Sequence, residues 1–148
     1  MLCVERANFA PRRPIHKAMA TGTRRPFVAV VDDDVGMREA TEALLNSAGF
    51  RTSAYSSAEA FLRSRRARKA DGLVLDMRLP GITGLQLYRK LREQGLAVPT
   101  VLLTADRDRG GRLHTEASAA GILAVLYKPY DGDTLVNLVQ AAFEKQSS

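Results

Sequence analysis

Four short hydrophobic segments of the chain each end on polar side chains that can contact or accept a phosphoryl group. In chain order, these residues are Asp32, Asp33, Asp34, Asp76, Thr104 and Lys128. If the segments are parallel strands of one sheet, their carboxyl ends share one edge, where open α/β sheets bind ligands. The sequence therefore predicts that carboxylates, one hydroxyl and one ammonium group meet there.

Such a cluster favours metal-assisted phosphoryl chemistry. Carboxylates held close together raise each other's pKa unless a cation joins them. Mg²⁺ suits the role, because it binds few carboxylates, keeps several waters and accepts phosphate oxygens. A carboxylate beside this ion can attack phosphorus and form an aspartyl phosphate. The transfer itself needs alignment and neutralisation of charge, which Mg²⁺, a lysine and a hydroxyl supply.

The segments between these strands carry helical patterns. Residues 35–48 form an amphipathic repeat that stops at Gly49, as helices often do. Ser56-Ser57-Ala58-Glu59 is a capping-box pattern that predicts a second helix through about Arg66. Three further helices are expected from Thr83 to Gln94, from Arg112 to Ala120 and from Asp131 onward.

Five strands and five helices in strict alternation imply a parallel sheet with helices on both faces. Right-handed crossovers leave few topologies, and the economical choice is the flavodoxin-like (βα)5 three-layer sandwich with strand order 2-1-3-4-5. Its switch point lies between strands 1 and 3. These are the strands that lead into Asp32, Asp33 and Asp76.

Charge divides the chain into a basic tail, residues 1–26, and one folded domain, residues 27–146. The net charge is +6. Residues 1–26 hold six basic residues and one acidic residue, a net of +5, which leaves the folded part at +1. No apolar run approaches the roughly 20 residues that span a bilayer. The single cysteine, Cys3, excludes an internal disulfide and fits a reducing compartment, so the expected location is cytoplasmic.

Four interpretations of the tail stay open. Its scattered prolines and arginines predict disorder. An arginine-rich, acid-poor leader also resembles an organellar transit peptide, and translation from Met19 would remove most of it. A tail that binds an acidic partner or nucleic acid is the less favoured interpretation. The basic cluster Arg63, Arg65, Arg66, Arg68 and Lys69 is interpreted as a solvated helix end that complements the helix dipole.

Four motifs in order resemble the receiver domain of two-component response regulators, the CheY-like superfamily. They are Val31-Asp32-Asp33-Asp34, Leu73-Val74-Leu75-Asp76-Met77-Arg78-Leu79-Pro80-Gly81, Leu103-Thr104-Ala105 and Tyr127-Lys128-Pro129-Tyr130. Residues 57–62 are most similar to receivers of the nitrogen-fixation regulator type. The resemblance covers about residues 27–145, the whole folded region.

The resemblance implies a role for each site residue. Asp76 is the phosphoacceptor and binds Mg²⁺ together with Asp32, Asp33 and the backbone carbonyl of Arg78. Thr104 and Lys128 contact the phosphoryl group, Ala105 leaves it room, and a cis bond before Pro129 aims the lysine. Asp34 drops out of this set as a predicted helix cap. Arg78 and Asp106 tune the phosphoryl lifetime, and we hypothesise that they pair across the site.

One position departs from the family pattern. An aromatic residue often lies three positions before the lysine, where this chain has Val125. Tyr127 and Tyr130 are neighbours in the switch region but do not occupy that position. We therefore expect a smaller or differently placed conformational response.

The resemblance implies a signalling phosphoacceptor rather than an enzyme, with only self-catalysed phosphotransfer and dephosphorylation. A sensor histidine kinase or histidine phosphotransfer protein would supply the phosphoryl group. Because the chain ends soon after the last helix, no output domain is expected, and the signal would leave by protein contact or phosphorelay to an unknown downstream protein. A homodimer is compatible with this role, whereas membrane and nucleic-acid partners are not expected.

Two alternatives stay open at this point. Asp32-Asp33-Asp34 contains the Asp-x-Asp pattern of haloacid-dehalogenase-like phosphatases, with Asp32 as nucleophile and Asp34 as acid/base. That hypothesis leaves Asp76 unexplained and lacks a later acidic pair. The other alternative is a receiver-shaped binding module that never uses its phosphorylation site.

Overall fold

A five-stranded parallel sheet forms the centre of the molecule. The computed structural model describes residues 25–105 and 111–147. The strands are β1 (Phe27–Val31), β2 (Arg51–Tyr55), β3 (Gly72–Asp76), β4 (Thr100–Thr104) and β5 (Ala124–Tyr127). They pair in the order β2-β1-β3-β4-β5, with every pair parallel, which confirms the predicted flavodoxin-like order.

In the described part of the chain, one α-helix follows each strand, and the five helices cover both faces of the sheet. They are α1 (Val35–Ser47), α2 (Ala58–Arg63), α3 (Gly84–Glu93), α4 (Arg112–Ala120) and α5 (Gly132–Ser147), with a 3₁₀ turn at Ala67–Lys69. Leu45 of α1 and Leu135 of α5 pack on one face, against Val30. Phe61 of α2 and Leu91 of α3 pack with Ala117 of α4 on the other face.

The strand sequences explain this layering. Every residue of β1, β3 and β4 is buried, as expected for strands covered on both faces by helices. Successive side chains alternate between the two cores, so that Ala29 and Val31 face one and Val28 and Val30 the other. The edge strands β2 and β5 are half-buried. None of the helices in the described part of the chain has the length and apolar character needed to cross a membrane.

Helix ends follow the predicted caps, with one exception. The Asp34 side chain accepts the N–H of Met37 and caps α1. Thr83 and Gln86 form a reciprocal capping box at the start of α3. Both interactions satisfy N–H groups that the helix itself leaves unpaired.

The prediction for the second helix was wrong at both ends. Its cap is Ser57, not Ser56, and the helix ends at Arg63 rather than near Arg66. Glu59 forms an ion pair with Arg63 at 3.4 Å. Ser64 then adopts an extended backbone, and its hydroxyl accepts the N–H of Ala67 at 3.1 Å. A local side-chain bond of this kind competes with helix continuation.

The structure covers most of the predicted folded domain, residues 27–146, but little of the predicted basic tail, residues 1–26. Nearly all of the predicted tail lies outside the described residues, which begin at Arg25. The folded region begins with β1 at Phe27 and is described to the end of α5 at Ser147.

Candidate functional site

Three carboxylates meet at the carboxyl edge of the sheet. Asp32 follows β1 and Asp76 ends β3, and these strands are neighbours with Val31 opposite Leu75. Carboxylate oxygens of Asp32, Asp33 and Asp76 lie within 4.8 Å of one another. Asp32 and Asp76 are buried, whereas Asp33 is exposed. The site is therefore open to solvent on the side of Asp33.

Lys128 joins the two buried carboxylates from the far edge of the sheet. Its Nζ lies 3.3 Å from Asp32 Oδ2 and 3.4 Å from Asp76 Oδ2. The residue follows β5, and its backbone N–H donates to the Thr104 carbonyl at 2.7 Å. This backbone bond holds Lys128 beside the end of β4. From there its side chain reaches Asp32 and Asp76.

Asp32 is held on three sides. Its Oδ1 accepts the N–H of Asp34 at 3.0 Å, and its own N–H donates to the Tyr55 carbonyl at 3.0 Å. Arg38 Nη1 donates to the Asp32 carbonyl at 2.8 Å. Sequence reasoning missed Arg38, although an arginine near the start of α1 opposes the usual charge preference of a helix N-terminus. That mismatch was the available signal.

The backbone around Asp76 is fixed by β4 and α3. Met77 N–H donates to the Leu103 carbonyl at 2.6 Å, and the Met77 carbonyl accepts the N–H of Gly84 at 2.8 Å. Gly84 packs so closely on the Asp76 carbonyl that a side chain at residue 84 would overlap it. Sequence reasoning did not single out Gly84. A glycine at the first position of a helix is the signal for such a close approach.

Burial and charge shift the pKa values at this edge. Burial, reinforced by the neighbouring Asp32 carboxylate, raises the pKa of Asp76 to about 6. Lys128 and the Arg78 N–H, which donates to Asp76 Oδ1 at 3.2 Å, act in the opposite direction. Burial lowers the pKa of Lys128, but the charges of Asp32 and Asp76 outweigh burial and raise it. Lys128 therefore stays protonated, and Asp76 carries electrostatic strain that a further cation would relieve.

The carboxylates fit a divalent metal. They offer three hard oxygen ligands, two of them buried, the donor set that Mg²⁺ prefers. Burial and the Asp32 carboxylate raise the pKa of Asp76 even with Lys128 nearby. A bound divalent cation would favour the charged form of both carboxylates.

The remaining predicted site residues surround this cluster. Thr104 is buried at the end of β4, whereas Ala105 next to it is exposed. The Lys128–Pro129 bond is cis. Asp106 lies outside the described residues, so its pairing with Arg78 stays a prediction. Arg78 itself is exposed, and its backbone pairs with Thr83.

The switch-region residues have unequal contacts. Val125 is half-buried and packs against the core beneath α2, α3 and α4. Tyr127 stands beside Thr104 in the β4–β5 register. Tyr130, two residues after Lys128, forms a hydroxyl–hydroxyl hydrogen bond of 2.6 Å with Thr41 of α1. Sequence reasoning did not anticipate this link, because the chain positions of the partners are 89 residues apart.

Comparison with known proteins matches this architecture to one family. The sequence model of the response regulator receiver domain family matches residues 28–140 of this chain. The transcriptional regulatory protein FixJ of Bradyrhizobium diazoefficiens is 31% identical over 123 residues, which are 83% of this chain and 59% of the relative. The response regulator protein TmoT of Ectopseudomonas mendocina is 32% identical over 117 residues, 79% of this chain and 52% of the relative. The chain thus spans little more than half the length of these relatives.

Solved structures agree with the sequence relatives. A response regulator receiver protein from Burkholderia phymatum is 35% identical with a TM-score of 0.69, covering 81% of this chain and 96% of that one. The DrrB receiver domain, described as BeF3-activated, is 26% identical with a TM-score of 0.72, covering 82% and 99%. By fold, strand-end motifs and sequence, the chain belongs to the response regulator receiver domain family of two-component systems.

Proposed function

We propose that the protein accepts a phosphoryl group on Asp76 from a phosphohistidine donor. The observation that carries this proposal is the convergence of Asp32, Asp33 and Asp76 with Lys128 at one edge of the sheet. Asp76 is the candidate nucleophile, because it lies between the Lys128 ammonium and the Arg78 N–H and ends a central strand.

The proposed step is an exchange of bonds at phosphorus. A carboxylate oxygen of Asp76 forms a bond to phosphorus as the phosphorus–nitrogen bond of the donor breaks, which leaves the imidazole on the donor and an aspartyl phosphate on Asp76. Lys128 neutralises charge on the transferred group, and the Thr104 hydroxyl donates a hydrogen bond to it. The chain supplies alignment and electrostatics rather than further covalent chemistry.

Asp32, Asp33, Asp76 and the Arg78 carbonyl are the proposed Mg²⁺ ligands. The ion supplies positive charge that brings the carboxylates and the phosphoryl oxygens together. The closeness of the three carboxylates and the raised pKa of Asp76 support this assignment. Ala105, Asp106 and Pro129 shape the space around the phosphoryl group in the same proposal.

Sensor histidine kinases or histidine phosphotransfer proteins are the proposed donors, and the reaction is expected in the cytoplasm. The protein then acts as a phosphorylated signal for a downstream protein rather than as a turnover enzyme. Neither the phosphatase alternative nor the phosphorylation-independent binding module is favoured by the comparisons. The domain proposal is a receiver over residues 27–146 with residues 1–26 as a separate basic tail.

A small phosphodonor tests the assignment directly. Wild-type protein, Asp76→Asn and Asp32→Asn are incubated with acetyl phosphate and Mg²⁺ and analysed by intact mass. We expect a phosphoryl adduct on wild-type protein, none on Asp76→Asn, and a reduced but detectable adduct on Asp32→Asn. An adduct retained by Asp76→Asn and lost in Asp32→Asn would instead support the phosphatase-type use of Asp32.

A further inference from the structure

A cluster of cations lies at the end of the sheet opposite the phosphorylation site. We call it the cationic patch: Arg25, Arg51, Arg65, Arg66, Arg68 and Lys69. Arg25 precedes β1, Arg51 begins β2, and the others immediately precede β3, so the patch lies at the amino ends of these strands. Strands of five residues separate it from Asp76 by about 16 Å.

The structure divides the basic residues of segment 63–69 between two helical segments and leaves their side chains exposed. Helix α2 ends at Arg63, the only basic residue of its last turn, and Arg63 pairs with Glu59. Arg65 and Arg66 follow α2, and Arg68 and Lys69 belong to the 3₁₀ turn at Ala67–Lys69.

Two guanidinium groups of the patch are held over one aromatic ring. The Arg66 guanidinium carbon lies 4.8 Å and that of Arg51 5.6 Å from the centre of the Phe27 ring. Arg51 Nε also donates to the Arg25 carbonyl at 3.0 Å. These contacts fix two like charges near each other at the entrance to β1.

The ion pairs found within the described residues do not include any member of the patch. Within residues 25–105 and 111–144, no acidic side chain forms an ion pair with any member of the patch. Asp71, at the same end of the sheet, is buried and accepts the N–H of Phe27 at 2.9 Å. Cations held near one another without a counter-ion repel one another, and an external anion would relieve that repulsion.

We propose that the cationic patch binds the phosphate backbone of a nucleic acid. Five of its six members are arginines, whose planar guanidinium groups match phosphate oxygens in pairs. Residues 1–24 lie outside the described residues and hold five basic residues against one acidic residue.

The surroundings favour nucleic acid over a membrane or an acidic protein. The aromatic ring of the patch, Phe27, is only 3% exposed and lies under its arginines. A membrane-binding surface presents exposed apolar anchors. Protein interfaces do use arginine as a hot spot, but together with tryptophan and tyrosine in well-packed pockets. A surface of arginines without an exposed anchor suits phosphate contacts, which need no base recognition.

Salt dependence of binding is the sharpest test. Affinity of the full chain for a short fluorescein-labelled DNA duplex is measured by anisotropy between about 50 and 200 mM salt, where each contacted phosphate contributes about −0.9 to the slope of log K against log salt. The test variant is Arg65→Gln/Lys69→Gln, because these exposed side chains make no hydrogen bond or ion pair within the described residues. We expect its slope to be shallower by about 2.

A matched control separates the patch from net charge. Arg89→Gln/Arg112→Gln removes two exposed cations from α3 and α4, and its slope should equal that of wild-type protein. Equal losses in both variants, or no saturable binding at the lowest salt, would overturn the proposal. Binding to polyglutamate or to phosphatidylglycerol vesicles without binding to the duplex would also overturn it. Asp76→Asn should bind as wild-type protein does, which keeps this test independent of the proposed phosphotransfer.

Discussion

Asp76 illustrates how a functional group is held at the expense of stability. Its carboxylate is buried next to Asp32, and Lys128 offsets only part of the resulting cost. In the unfolded chain the same carboxyl group is solvated and titrates near its ordinary value. The folded state therefore binds this proton more tightly than the unfolded state does.

The sign of the pH dependence follows from that difference. Because the folded-state pKa of about 6 exceeds the ordinary value of 3.8, the contribution of Asp76 to stability is complete below pH 3.8 and is lost as pH rises through 6. In metal-free protein at neutral pH, we expect Asp76→Asn to raise the free energy of unfolding by about 1–3 kcal/mol. Urea unfolding in the presence of a chelator measures it.

The gain in unfolding free energy of Asp76→Asn should depend on pH and on Mg²⁺. The gain should shrink at about pH 5, where the wild-type carboxyl group is already largely protonated, and it should shrink when Mg²⁺ binds the wild-type protein. Asp133→Asn, an exposed aspartate in the first turn of α5, serves as the control and should not gain stability. A less stable Asp76→Asn at neutral pH would contradict the electrostatic account.

Among the elements, α3 has a special part because its first residue fixes the backbone of Asp76. Gly84 contacts the Asp76 carbonyl without space for a β-carbon, and its N–H binds the Met77 carbonyl. The start of α3 and the end of β3 therefore form one packed unit. A shift of either would move the carboxylate of Asp76, the proposed phosphoacceptor.

Gly84→Ala tests this packing. The new methyl group would press on a backbone carbonyl that cannot rotate away, so we expect a loss of about 1–3 kcal/mol in unfolding free energy and slower labelling of Asp76 by acetyl phosphate. Gly36→Ala in the first turn of α1 is the matched control, because its methyl group meets Asp34 Oδ1 at an ordinary 3.4 Å. The control should be neutral or gain up to about 1 kcal/mol from helix propensity. Similar effects of both changes would show that the close approach at Gly84 is unimportant.

Sequence patterns predicted those features of the molecule that depend on local periodicity. The strand order, the cap at Asp34 and the convergence of Asp32, Asp33 and Asp76 follow from alternating strands and helices, because parallel strands share one carboxyl edge. The end of α2 was misplaced, because the competing bond from Ser64 has no strong sequence signal. Contacts between distant segments, such as Thr41 with Tyr130, depend on three-dimensional packing and lay beyond sequence patterns.

At the scale of the whole molecule, that last contact links the segment after Lys128 to α1. The proposed phosphorylation of Asp76 would add about −1.5 to −2 charges, and Lys128 is the cation beside that carboxylate. Tyr130 follows Lys128 by two residues and binds Thr41 of α1. Val125 offers no aromatic ring on the α4–β5 side. We therefore expect a substantial part of the response to reach α1.

Backbone amide chemical shifts with and without BeF3⁻ in the presence of Mg²⁺ measure where the response goes. In wild-type protein, we expect changes at Ala105 near the site and at Thr41 in α1. Tyr130→Phe removes the hydroxyl but keeps the ring, so the change at Thr41 should fall while that at Ala105 persists. Tyr88→Phe, which removes a hydroxyl from α3, is the control and should preserve both changes. An unaltered response of Thr41 in Tyr130→Phe would show that the hydrogen bond does not carry the change. Equal chemical shifts on the α4–β5 face of wild-type protein with and without BeF3⁻ would exclude that face as the output surface.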